Sequence, residues 1–83
     1  MFINKTKDGR NNICGQQVAK YRKEKNLSQR QLADAMQLVG VDVDKNAIQR
    51  MEAGKRFVTD IELACLAKVL SVSLEDLLPE TDE

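Results

Sequence analysis

The sequence predicts an all-α domain built from five short helices. Its 83 residues include only three aromatics, one proline and four glycines, too few turn-formers and too few large flat side chains for a sandwich of strands. Apolar residues recur at spacings of three and four along most of the chain. Helix-start signatures, a Ser or Thr followed three residues later by Gln, Glu or Asp, stand at Ser28, Thr59 and Ser73.

Residues 1–12 are polar and basic (Lys5, Lys7, Arg10), with Gly9 and two asparagines, and read as an N-terminal arm in which only Met1, Phe2 and Ile3 could pack. A single helical domain is expected over residues 13–79. Its first helix should span about 15–25, with Cys14, Val18 and Tyr21 inward and Lys20, Arg22, Lys23 and Lys25 towards solvent. Asn26 is placed to end it in the left-handed conformation. The second helix, about 28–38, opens with the Ser28–Gln31 box and buries Leu32, Ala33 and Met36. The third, about 45–53, is capped by Asp44 and stopped by Gly54. The fourth starts at the Thr59–Glu62 box and runs to Leu70. A weaker box, Ser73 to Asp76, opens the fifth, which Pro79 closes. Residues 80–83 read as an acidic disordered tail.

The third helix carries the chemistry. At about 100° per residue, Ala47, Ile48 and Met51 share one face, and Lys45, Asn46, Gln49 and Arg50 share the opposite one. Lys and Arg donate to guanine edges, and Asn and Gln pair bidentately with adenine, so a helix anchored by its back and polar on its front suits a DNA major groove. Lys45, Asn46 and Arg50 are the prime base-contacting candidates, with Gln49 at the edge of the stripe.

The order and spacing of several short motifs resemble the Cro/phage-repressor, XRE-like helix-turn-helix family. They are Leu27-Ser28-Gln29, Gln31-Leu32-Ala33, Ala47 to Glu52, Gly54-Lys55-Arg56, and Leu66 to Leu70 running into Val72 to Leu78. The resemblance covers residues 13–78 and implies a compact five-helix lambda-repressor-like DNA-binding domain. It also implies that Ser28 and Gln29 contact the DNA backbone, that Lys55 and Arg56 clamp phosphates, and that Arg22 and Glu52 form a salt bridge orienting the third helix. Ala53 stands where some relatives donate to phosphate. The stretch from Gln37 to Val43 is several residues longer than the family's usual tight turn; Gly40 can end one helix there and Asp44 can cap the next.

Charge distribution agrees with a nucleic-acid partner although the net charge is zero. Residues 1–58 hold 12 Lys and Arg against 6 Asp and Glu, whereas residues 59–83 hold 1 against 7. A phosphate backbone responds to local potential, and the basic part contains the reading helix. Catalysis finds no support. There is no histidine, Ser28 and Ser73 sit at cap positions, and no base stands beside Cys14 or Cys65 in a recognisable motif. The two cysteines lack zinc-ligand spacing and read as small buried hydrophobes. Asp42-Val43-Asp44-Lys45-Asn46 imitates half a calcium loop, but Ala47 and Ala53 occupy its glycine and glutamate positions. No metal and no cofactor are expected. Neither a membrane span nor a secretory signal is legible, so a cytoplasmic location is the default.

Ile61, Cys65 and Val69 form a second apolar stripe on the fourth helix, placed about 180° from Leu63, Leu66, Ala67 and Leu70. The first three residues of the chain, the fifth helix or a second copy of the protein could cover it. With Leu74 it is the candidate dimer interface. The expected function is sequence-specific double-stranded DNA binding by a homodimeric transcriptional regulator, a repressor, on a two-fold related operator. The alternative is an antitoxin or protein-interaction module whose surface around the fourth and fifth helices binds a protein partner. A scaffold that has lost DNA binding is disfavoured by Lys45, Arg50, Lys55 and Arg56.

Overall fold

A computed structural model describes residues 5–79 as four α-helices and one 3-10 turn: α1 (Gly15–Glu24), α2 (Gln29–Leu38), α3 (Lys45–Glu52), α4 (Asp60–Leu70) and the turn Glu75–Leu77. Residues 1–4 and 80–83, and with them the packing of Met1 to Ile3 and the acidic tail, lie outside the described residues.

The helix starts follow the side-chain chemistry of their caps. Ser28 Oγ accepts from the Gln31 backbone N–H at 3.0 Å while Gln31 Oε1 accepts from Ser28 N–H at 2.8 Å. Thr59 and Glu62 repeat the exchange at 3.1 and 3.0 Å, and Asp44 Oδ1 accepts from Ala47 N–H at 2.7 Å. All four helices end alike. A backbone N–H two or three residues past the helix reaches back five residues to a carbonyl of the last turn, in Leu27→Arg22, Val41→Met36, Lys55→Arg50 and Val72→Ala67, at 2.9–3.1 Å. Each closure needs one left-handed residue. Asn26, Gly40, Gly54 and Ser71 supply it, Ser71 without a sequence signal.

The lengthened turn between α2 and α3 is anchored rather than free. After Gly40 reverses the chain, Val41 packs on the core and Val43 is buried, and Gln37 Nε2 donates to the Val43 carbonyl at 2.7 Å. The added residues therefore leave α3 packed on α2, with Ile48 and Met51 buried among Leu32, Met36, Leu66, Leu70 and Val18. Each such burial contributes about 1.5–3 kcal/mol relative to exposure.

Two expectations are corrected. The fifth helix is a single 3-10 turn. Its Ser73–Asp76 box does form, at 3.0 and 3.1 Å, but Pro79 drives Leu78 into extended backbone, leaving too few residues for an α-helix. What the turn delivers is Leu77, fully buried and facing α1. The second correction concerns α4. Cys65 is only 7% exposed and Val69 packs on the core, while Ile61 is 70% exposed. At 100° per residue Cys65, Val69, Leu66 and Leu70 lie within about 140°, so they form one broad buried arc rather than two opposed stripes. Of the candidate interface residues, Ile61 and Leu74 remain at the surface.

Candidate nucleic-acid interface

Lys45, Asn46, Gln49 and Arg50 all project from the exposed side of α3, whose other side is fixed by Ile48 and Met51. Asn46, Gln49, Arg50, Ala53 and Lys55 line a shallow concavity of about 360 Å³. Among the described residues, neither Lys45 nor Arg50 takes part in either of the two ion pairs, so both cations face outward.

Glu52, the last residue of α3, joins three helices. Its carboxylate accepts from Arg22 Nε at 2.6 Å and Nη2 at 3.0 Å, and from Gln29 Nε2 at 3.1 Å. The remaining Arg22 nitrogen donates to the Leu27 carbonyl at 2.7 Å. Both charged side chains are about nine-tenths buried. Arg22 therefore points into the molecule, not to solvent as the α1 pattern alone suggests. This staple sets α3 against α1 and against the start of α2.

Gln29 is the first residue of α2, at its positive end. Its side-chain amide is drawn inward by Glu52, so the side chain is engaged within the protein. Ser28 is exposed, with its hydroxyl accepting the capping bond from Gln31. Lys55 is exposed beside the concavity. Arg56 differs from expectation: Nη1 and Nη2 donate to the two Glu62 oxygens at 2.9 Å each, and Nη1 also reaches the Phe57 carbonyl. That fork holds the Glu62 carboxyl below its ordinary range and raises the Arg56 guanidinium further. Arg56 is thereby committed to tying the loop after α3 to the start of α4.

Sequence reasoning missed this pair because the same Glu62 serves the capping box, which already accounts for it. It also assigned residues 10–12 to a free arm. In the structure Asn12 is buried, its Oδ1 accepts from Gly15 N–H at 2.8 Å at the start of α1, and its Nδ2 reaches the Met51 and Arg56 carbonyls. The one local signal was an asparagine three residues before a helix start. Cys14 and Cys65 are free and buried, and burial pushes the Cys14 thiol up, away from a reactive thiolate. No helix among the described residues is long and apolar enough to cross a membrane.

Comparison with known proteins agrees with this architecture. The helix-turn-helix family profile matches residues 18–77. The restriction-modification controller protein C.AhdI from Aeromonas hydrophila superposes with a TM-score of 0.68 at 28% identity, covering 77% of this chain and 89% of that one. The clp gene regulator ClgR from C. glutamicum superposes with a TM-score of 0.68 at 25% identity, covering 78% of each chain. Among curated proteins, no sequence matches the chain. With a profile spanning most of the domain and regulators of the same fold beside it, the chain belongs to the XRE-like helix-turn-helix family of DNA-binding transcriptional regulators.

Proposed function

We propose that the protein is a sequence-specific repressor that binds duplex DNA as a homodimer with α3 in the major groove. The observation that carries this is the outward face of α3, four hydrogen-bonding side chains on a helix whose back is locked into the core. Lys45, Asn46 and Arg50 read base edges and Gln49 reads at the margin. Ser28, the N-terminal end of α2 at Gln29, and Lys55 hold phosphates. The phosphate role first given to Arg56 passes largely to Lys55, because Glu62 retains the Arg56 guanidinium. The Arg22–Glu52 staple orients the reading helix without touching DNA.

One small module buries limited surface, so operator affinity calls for two copies on half-sites about one helical turn apart. Ile61 and Leu74, exposed at 70% and 50%, supply the apolar contact for that dimer. The two structural neighbours are a controller protein and a gene regulator, which supports a regulatory role here.

The test is titration of labelled duplex with variants of α3. Asn46→Ala and Arg50→Ala should each weaken binding to the preferred site by about 1–3 kcal/mol and relax discrimination at one base pair. Lys55→Ala should weaken all sequences alike and lower the salt slope by about 0.9. Unchanged binding by the α3 variants would remove the base-reading assignment.

A further inference from the structure

Three consecutive residues cross the C-terminal end of α3 and take up the carbonyls there. Arg10 Nη2 donates to the Glu52 carbonyl at 2.8 Å. Asn11 donates its backbone N–H to the Gly54 carbonyl at 2.7 Å and its Nδ2 to that of Lys55 at 3.1 Å. Asn12 Nδ2 donates to the carbonyls of Met51 at 3.0 Å and Arg56 at 2.7 Å.

The fit around this strap is close. A Cβ on Gly54 would lie 2.7 Å from Arg10 Cζ, and one on Gly15 would lie 2.2 Å from the Met51 carbonyl oxygen. The strap is thus seated between the start of α1 and the end of α3. Helix α3 does not need it for closure, because Lys55 N–H already returns to the Arg50 carbonyl at 2.9 Å. Terminal carbonyls at a surface can also be satisfied by water. What the strap adds is a fixed path for residues 54–56, and Lys55 is the exposed cation on that path beside Asn46, Gln49 and Arg50. A guanidinium at the negative end of α3 is also electrostatically favoured there.

We infer that Arg10 and Asn11 are positioning residues for DNA binding: they hold Lys55, just past the end of α3, in register with a phosphate of the duplex and make no DNA contact themselves. This rests on the assignment of α3 as the reading helix.

A double-mutant cycle in the full chain tests it, using a duplex recovered from a random pool by the parent protein and a series of salt concentrations. Arg10→Ala should lower affinity on the order of tenfold, the size of one charge-assisted hydrogen bond. It should also reduce the salt slope by about 0.9, as one lost phosphate contact does. In a Lys55→Ala background the same change should have little further effect. Asn11→Ala removes only the side-chain bond to the Lys55 carbonyl, so it should show the same coupling with a smaller loss, and it keeps the test decisive if Arg10→Ala does not fold. Additive losses from Arg10→Ala and Lys55→Ala would show that Arg10 holds its own phosphate and would overturn the inference. So would parent-like affinity and slope in Arg10→Ala and Asn11→Ala. A parent that binds no duplex would instead overturn the reading role of α3 on which the inference rests.

Discussion

Replacing Glu52 with alanine should damage this domain far more than loss of a surface charge. The substitution removes the acceptor for two Arg22 nitrogens and for the Gln29 amide, and leaves Arg22 with the Leu27 carbonyl alone. The Arg22 side chain is only 10% exposed, so water cannot readily take the carboxylate's place. Breaking one side of a buried pair of this kind costs about 3–5 kcal/mol. A chain of this length has roughly 4–12 kcal/mol of folding stability in all. The midpoint of thermal unfolding should therefore fall by roughly 12 °C or more, at about 4–8 °C per kcal/mol. The double variant Arg22→Met with Glu52→Leu strands no charge and should recover most of the loss. Urea melts followed by circular dichroism give the comparison, with an unchanged slope showing that the folded state is still compact. A single-variant loss below about 1 kcal/mol, the range of exposed pairs, would refute the reasoning. A double variant as unstable as the sum of the singles would refute it equally.

Arg56 holds the Glu62 carboxyl below its ordinary 4.5, so the stabilisation from the ionised pair is complete above that pH and is lost as pH falls through the lowered folded value. The stability gap between the parent and Glu62→Gln should be widest at neutral pH and close in acid; a gap that does not change with pH would contradict the pairing. Gly15→Ala would place a methyl 2.2 Å from the Met51 carbonyl oxygen, so melts should show at least the ~1–3 kcal/mol of an overpacked core. An alanine variant as stable as the parent would mean that α1 and α3 separate easily. Ile61→Glu or Leu74→Glu should leave helicity intact, shift sedimentation to monomer and weaken operator binding. A parent chain already monomeric at high micromolar concentration would contradict the dimer assignment for the free protein.

Much of the fold was legible because it is local. Caps and terminators act within four residues, so Ser28, Asp44, Thr59, Asn26, Gly40 and Gly54 placed the helix ends closely. The polar face of α3 followed from the same periodicity, since Ile48 and Met51 leave only one direction for Lys45, Asn46, Gln49 and Arg50. Periodicity failed where burial is wide. On α4 a run of apolar residues reads as two stripes, but Cys65, Val69, Leu66 and Leu70 lie within about 140° and pack as one arc. Partner choice was equally hidden. Arg56 after a reading helix has the same sequence pattern whether it clamps a phosphate or Glu62. The strap of residues 10–12 depends on contacts 39–44 residues away, beyond any local pattern.

Selection of bound duplexes from a random pool addresses the central claim most directly, because it reports site, symmetry and spacing together. The account predicts enrichment of an inverted repeat with half-sites about one helical turn apart. It further predicts that the preference at one base pair in each half-site disappears when the selection is repeated with Asn46→Ala or Arg50→Ala. A pool that shows no enriched sequence, or an enriched site to which the α3 variants remain indifferent, would contradict it.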